Sequence, residues 1–222
     1  PSAWGGAMPH RAGTLPIARP FILDFSVGGD RSAVLAVARA GVDVAELLVH
    51  EQFHGFQRTR FRDLAGGQFV APTAIADRVT FAAAAEVERR VLVEALRAPD
   101  ATARTALLRQ YIALRRNRYR GMPAEALRVE RGLERIEGTA RYVDRRAMVA
   151  IEGGSLVERL VAVLAEDLNA NGQPFLTAWF RSRSYGTGAA ISHFLDLLDP
   201  AGWRERTERG EFLDEQLAAA LP

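Results

Sequence analysis

The chain has 222 residues, nearly half of them apolar, which is enough for one globular domain with a sizeable core. Its 29 basic and 27 acidic residues nearly cancel, so composition does not point to a nucleic-acid partner. There is no cysteine, which excludes disulfides and thiolate metal sites and leaves His, Asp and Glu as the ligands any metal would need. No apolar run reaches the roughly 18 residues of a membrane helix. The chain does not begin with Met, so a trimmed or mature form is expected. The lack of cysteine fits the cytoplasm and an exported protein alike; the compartment stays open, with the periplasm or exterior slightly favoured over the cytoplasm. Composition leaves the oligomeric state open.

Residues 1–20, rich in Pro and Gly, read as an irregular lead-in. Phe21, Leu23, Phe25 and Val27 then alternate with polar Asp24 and Ser26, the period of a half-buried strand, and Gly28-Gly29-Asp30 ends it with a turn. A helix is expected over 43–58, with Asp43 as N-cap and Glu46 completing a capping-box spacing. Gly66-Gly67 and Pro72 mark a loop before a long helix, 75–97. Pro99-Asp100 breaks it, and Asp100 caps the next helix, 101–119. After Gly121-Met122-Pro123, residues 124–150 hold a strong helical period through Leu133, Ile136, Ala140, Val143 and Ala147. Helices are expected again over 156–168, stopped by Asn169-Ala170-Asn171-Gly172, then over 187–198 and 211–221. Trp179 and Phe180 read as core residues. The expectation is a mainly helical chain with little strand after residue 30.

His50-Glu51-Gln52-Phe53-His54 is an HExxH sequence, and it takes two of the four histidines. It follows the apolar run Ala45–Val49, inside the helix, where residues four apart share a face and both imidazoles can reach one zinc ion. Glu51 then stands beside the metal, where it can take a proton from the bound water and pass it to a leaving amine. The competing reading is a pair of ordinary helix histidines. A third ligand is required, and no His follows His54 until His193, so a carboxylate on the helix 124–150 is expected. Glu137 is preferred because it borders the apolar stripe and precedes Gly138-Thr139-Ala140, small residues that let another helix come close. Glu130 and Glu134 are the runners-up, and a surface pair with Arg141 is the other reading of Glu137.

The segment Glu137-Gly138-Thr139-Ala140-Arg141-Tyr142 resembles the EGxAxY signature of gluzincin-type, thermolysin-like metallopeptidases, in which the Glu is the third zinc ligand. Tyr185-Gly186-Thr187-Gly188-Ala189-Ala190-Ile191 is similar to a tyrosine-and-glycine segment of that group. The resemblance implies a single α+β, mainly α domain over 1–222. It would have a zincin-like core, with a small N-terminal β-sheet and a helical bundle, and would hydrolyse a peptide or protein substrate with Zn²⁺. A catalytically inactive zincin-like binding module is the alternative. The interval from His54 to Glu137 is longer than in thermolysin, so 60–122 reads as a helical insertion covering the cleft or mediating contacts. Arg141 stands where those enzymes carry an Asp that orients a zinc-bound His, and Asp144 is the candidate to replace it.

Tyr185, at the start of a Gly-rich turn into a helix, is expected to stabilise the oxyanion, with His193 and Tyr142 as alternatives and a packing aromatic as the competing reading. The strand 21–27 would run its free edge above the zinc and pair with an extended peptide. Arg115–Arg120, the one strongly basic run, reads as a solvated helix end rather than a nucleic-acid contact.

Overall fold

The computed structural model of the chain describes residues 23–27, 30–34, 44–63, 75, 77–165 and 175–222, which fall into two units, Pro1–Val42 and Asp43–Pro222. In the first, β1 (Leu23–Val27) pairs antiparallel with β2 (Asp30–Val34), Leu23 opposite Val34 and Val27 opposite Asp30. The alternating residues 23–27 do form a strand. Asp30 does not end it but opens a second strand, whose polar Asp30-Arg31-Ser32 start carries no strand signal. The lead-in 1–20, Phe21, Gly28 and Gly29 lie outside the described residues.

The second unit is helical: α1 (Val44–Arg60), α2 (Arg78–Arg97), α3 (Ala101–Tyr119), α4 (Ala124–Leu133), α5 (Thr139–Glu152), α6 (Leu156–Ala165), α7 (Phe175–Leu198), α8 (Trp203–Arg209) and α9 (Leu213–Ala220). The starts of α2 and α3 follow capping chemistry. Asp77 accepts the Thr80 amide at 2.9 Å, and Asp100, as expected, accepts that of Ala103 at 2.8 Å. Gly153, at φ 80°, ends α5 in a conformation that a side chain would strain. Asp43 and the turn Asn169–Gly172 lie outside the described residues, as do the side chains of Trp179 and Phe180. No described helix is long and apolar enough to cross a membrane.

The main core is made by helices alone. Leu92 and Leu96 of α2, Leu108 and Tyr111 of α3, Leu160 of α6, Ile191, Phe194 and Leu195 of α7, and Leu213 and Leu217 of α9 are buried together. This corrects the expected α+β zincin-like core. Among the described residues, the unit that carries the HExxH helix contains no strand, and its main core closes among helices α2, α3, α5, α6, α7, α8 and α9 without a sheet. The strand 23–27 is paired along one edge, with β2, in a hairpin of the other unit. The helices of 60–122 supply core residues to α7.

α7 begins twelve residues before its expected start at Thr187, so Tyr185, Gly186 and Gly188 lie inside a 24-residue helix and not in a turn that opens it. The glycines serve close packing. A Cβ on Gly138 would fall 2.5 Å from the Gly188 Cα, so backbone meets backbone where α7 crosses the segment before α5. The small residues after Glu137 therefore admit α7, while Thr139 turns toward α1.

The basic run is solvated only in part: Arg116 and Arg120 are exposed, as expected, but Arg115 and Arg118 are not. Arg115 and Arg118 are buried in an ion cluster with Glu88, Glu130 and Glu134. Arg118 spans Glu88 at 2.6 and 2.9 Å and Glu130 at 2.6 and 2.8 Å, and Arg183 of α7 adds 2.7 Å to Glu130. Burial pushes the Glu130 carboxyl up, and Arg118 and Arg183 more than reverse this and hold it well below the usual range. The run thus presents no contiguous basic face.

Candidate metal centre

His50, His54 and Gln57 stand at i, i+4 and i+7 on one face of α1, turned toward the chain between α4 and α5. That chain is a five-residue π-helical turn, Glu134–Gly138, which carries Glu137. Such turns shift the side chains that follow and recur at functional sites. Gln57, 1% exposed, stitches the two together. Its amide nitrogen donates to the Ile136 carbonyl at 2.8 Å and to the Thr139 hydroxyl at 2.9 Å, and that hydroxyl donates onward to the Arg135 carbonyl at 2.6 Å. These bonds fix the amide's orientation, so its carbonyl oxygen faces His54 Nδ1 at 2.7 Å.

A carbonyl oxygen only accepts, so His54 carries its proton on Nδ1. His50 Nδ1 lies 2.9 Å from the Asp144 carboxylate, which likewise only accepts. Both neutral imidazoles therefore turn bare Nε2 lone pairs inward. The two Nε2 atoms are 3.1 Å apart, and the Glu137 Oε2 lies 3.4 Å from one and 3.3 Å from the other. Glu137 Oε2 is buried without a hydrogen bond. Three electron-rich atoms converging this closely repel one another unless a cation stands among them. In the metal-free protein a proton meets that need. Burial opposes charge on His50, but its hydrogen bond to Asp144 and its ion pair with Glu137 prevail and raise its pKa to about 9. Glu137 is pushed up by burial, and the two histidines more than reverse this, holding it well below the usual carboxylate range.

The residues fit zinc. Bonds of about 2.0–2.1 Å to a tetrahedral ion put its ligand atoms roughly 3.3 Å apart, the size of the triangle found here. Each imidazole also has the outer partner that zinc histidines require, Asp144 for His50 and Gln57 for His54. The sequence points to Asp144. Gln57 escapes it, because it lies outside the HExxH motif and only its i+7 spacing from His50 signals the shared face. Arg141 is engaged by Glu46 at 2.6 Å and by Asp144 at 3.2 Å, so Glu46 holds α5 as well as lying in the first turn of α1.

His50, Glu51 and His54 offer ligand atoms that all lie within 4.8 Å of one another, so the Glu51 carboxylate stands beside the two imidazoles. Tyr185 reaches the centre from α7. Its ring stacks on His50 at 5.9 Å between centroids, its hydroxyl accepts from Arg181 at 3.0 Å, and burial, then the Glu137 charge, raises its pKa. Arg181, half exposed, lies 3.7 Å from Glu137 Oε1. The structure does not bring the other candidates here. Glu130 and Glu134 are held by arginines in the buried cluster, Tyr142 donates to Asp196 at 2.5 Å, and His193 lies beside Tyr142 and Phe194.

No protein-family model, curated protein or solved structure matched the chain.

Proposed function

We propose that this protein is a zinc-dependent metallopeptidase built on a helical scaffold, with His50, His54 and Glu137 as zinc ligands. The observation that supports it is the triangle of two inward-facing imidazole Nε2 atoms and one buried carboxylate oxygen without a hydrogen bond, sized for one tetrahedral ion. Zinc held there supplies a Lewis acid for a scissile carbonyl and lowers the pKa of a water in its open position. Glu51 takes the proton of the attacking water and returns it to the leaving amine. The Tyr185 hydroxyl and the Arg181 guanidinium are the donors at hand for the oxyanion, and Asp144 and Gln57 hold the imidazole tautomers. The two-histidine, one-glutamate ligand set with an adjacent carboxylate base is that of zinc enzymes that hydrolyse peptides.

The test is Glu51→Gln assayed on a mixed peptide pool. The variant is expected to retain one zinc and lose nearly all cleavage, while a chelator abolishes cleavage by the unaltered protein. A fully active Glu51→Gln protein would refute the mechanism. A zinc-loaded protein that cleaves no peptide would instead be a non-catalytic zinc-binding module.

A further inference from the structure

Beside the metal centre, α1, α5 and α8 enclose a second feature that peptide hydrolysis does not use. It is a cavity of about 300 Å³, at the lower end of the range (roughly 300–1,000 Å³) of small-molecule sites. None of the residues proposed to bind zinc or act on substrate lines it. Its lining includes Phe53, Phe56 and Phe61, whose rings contact one another at 5.4 to 6.4 Å between centroids, together with Tyr142, Val143 and Trp203. Phe56 is 42% exposed, an aromatic ring left in water at a cavity mouth.

The charges at its edge do not cancel. Arg146 and Arg204 both line the cavity, their side chains about half exposed, and both pair with one carboxylate, Asp196. Asp196 also accepts from Tyr142 at 2.5 Å and from Trp203 at 2.6 Å, so four donors already occupy its two oxygens. Glu208, the acidic lining residue, is paired with Arg60 at 3.1 Å. Three arginines against two carboxylates leave one positive charge and unspent guanidinium N–H donors beside an apolar chamber.

We propose that this cavity binds an apolar monocarboxylate, with its chain or ring among the three phenylalanines and Trp203 and its carboxylate on Arg146 and Arg204. The one surplus charge favours a single anionic head, and the small volume favours a body the size of a decanoyl chain or an aromatic side chain. Two sources share this chemistry, a free fatty acid and the C-terminal residue of a peptide.

The experiment is calorimetric titration of the full chain with decanoate, decanol, N-acetylphenylalanine and its amide. Each acid is expected to bind at least tenfold more tightly than its neutral counterpart. The Arg146→Gln/Arg204→Gln protein should lose that preference while keeping its affinity for decanol. Val143→Trp, which fills the chamber, should weaken every ligand at least tenfold. If that variant fails to fold, Phe56→Ser, at an exposed position, should weaken them severalfold. Tighter decanoate would assign the source as a fatty acid, and tighter N-acetylphenylalanine as a peptide end. Equal binding of acids and neutral analogues, or affinities unchanged in Val143→Trp, would overturn the site. Zinc loading does not enter the measurement, so its result is separate from the fate of the metallopeptidase reading.

Discussion

Replacing Gln57 separates orientation of a zinc ligand from packing around it. Gln57→Leu keeps the volume and removes three hydrogen bonds, but the losses differ in kind. The Ile136 carbonyl retains the Thr139 amide, and the Thr139 hydroxyl still donates to Arg135. The His54 Nδ1 proton alone loses its acceptor. One buried donor without a partner costs about 1–3 kcal/mol of stability. The larger consequence concerns the metal: with nothing to hold the proton on Nδ1, it moves to Nε2 and blocks the ligand atom. Zinc affinity should fall roughly 10–100-fold, as for other outer partners of zinc histidines. Gln57→Glu is the control. It retains an acceptor for His54 but loses both donors to the π-helical turn, so it should lose stability and keep most of its zinc affinity. Competition against a chromophoric chelator gives the affinities, and thermal melting gives the stabilities. Equal loss of zinc affinity in the two variants would refute the reasoning, because packing alone would then explain it.

Gly188→Ala should lower stability by about 1–3 kcal/mol or more, since the new Cβ would meet the Gly138 Cα at 2.7 Å and backbone cannot yield; thermal melting reads it, and zinc affinity should fall as the turn bearing Glu137 shifts. Glu130→Gln leaves Arg118 and Arg183 short of a buried partner and should cost about 3–5 kcal/mol in urea unfolding, with zinc stoichiometry unchanged. Because His50 is raised to about 9 without metal, zinc must displace a proton below that pH; apparent affinity should rise about tenfold per unit from pH 7 toward 9 and then level off, as chelator competition at each pH would show.

What the sequence made legible was chemistry that local spacing dictates. The histidines of α1, the Asp100 cap and the strand 23–27 follow from period and capping; Glu137 is singled out by its place beside the apolar stripe, and Asp144 through the family resemblance. Glycine misled where tertiary packing overrode local preference. Gly186 and Gly188 read as a turn, yet they sit inside α7 because Leu164 and Gly138 press on them. The π-helical turn leaves no mark in residues that suit an ordinary helix. Arg115 and Arg118 read as solvated because their acidic partners lie on other helices, invisible to a linear charge pattern. The expected sheet came from the family resemblance and not from residues of the helical unit, whose main core closes among helices without it.

The central claim is that His50, His54 and Glu137 hold one ion. Zinc titration of the metal-free protein, read by competition with a chromophoric chelator, tests it most directly when run beside Glu137→Ala and Glu130→Ala. One tightly bound zinc per chain is expected, nearly lost in Glu137→Ala and retained in folded Glu130→Ala. Stoichiometric zinc in Glu137→Ala would contradict the account.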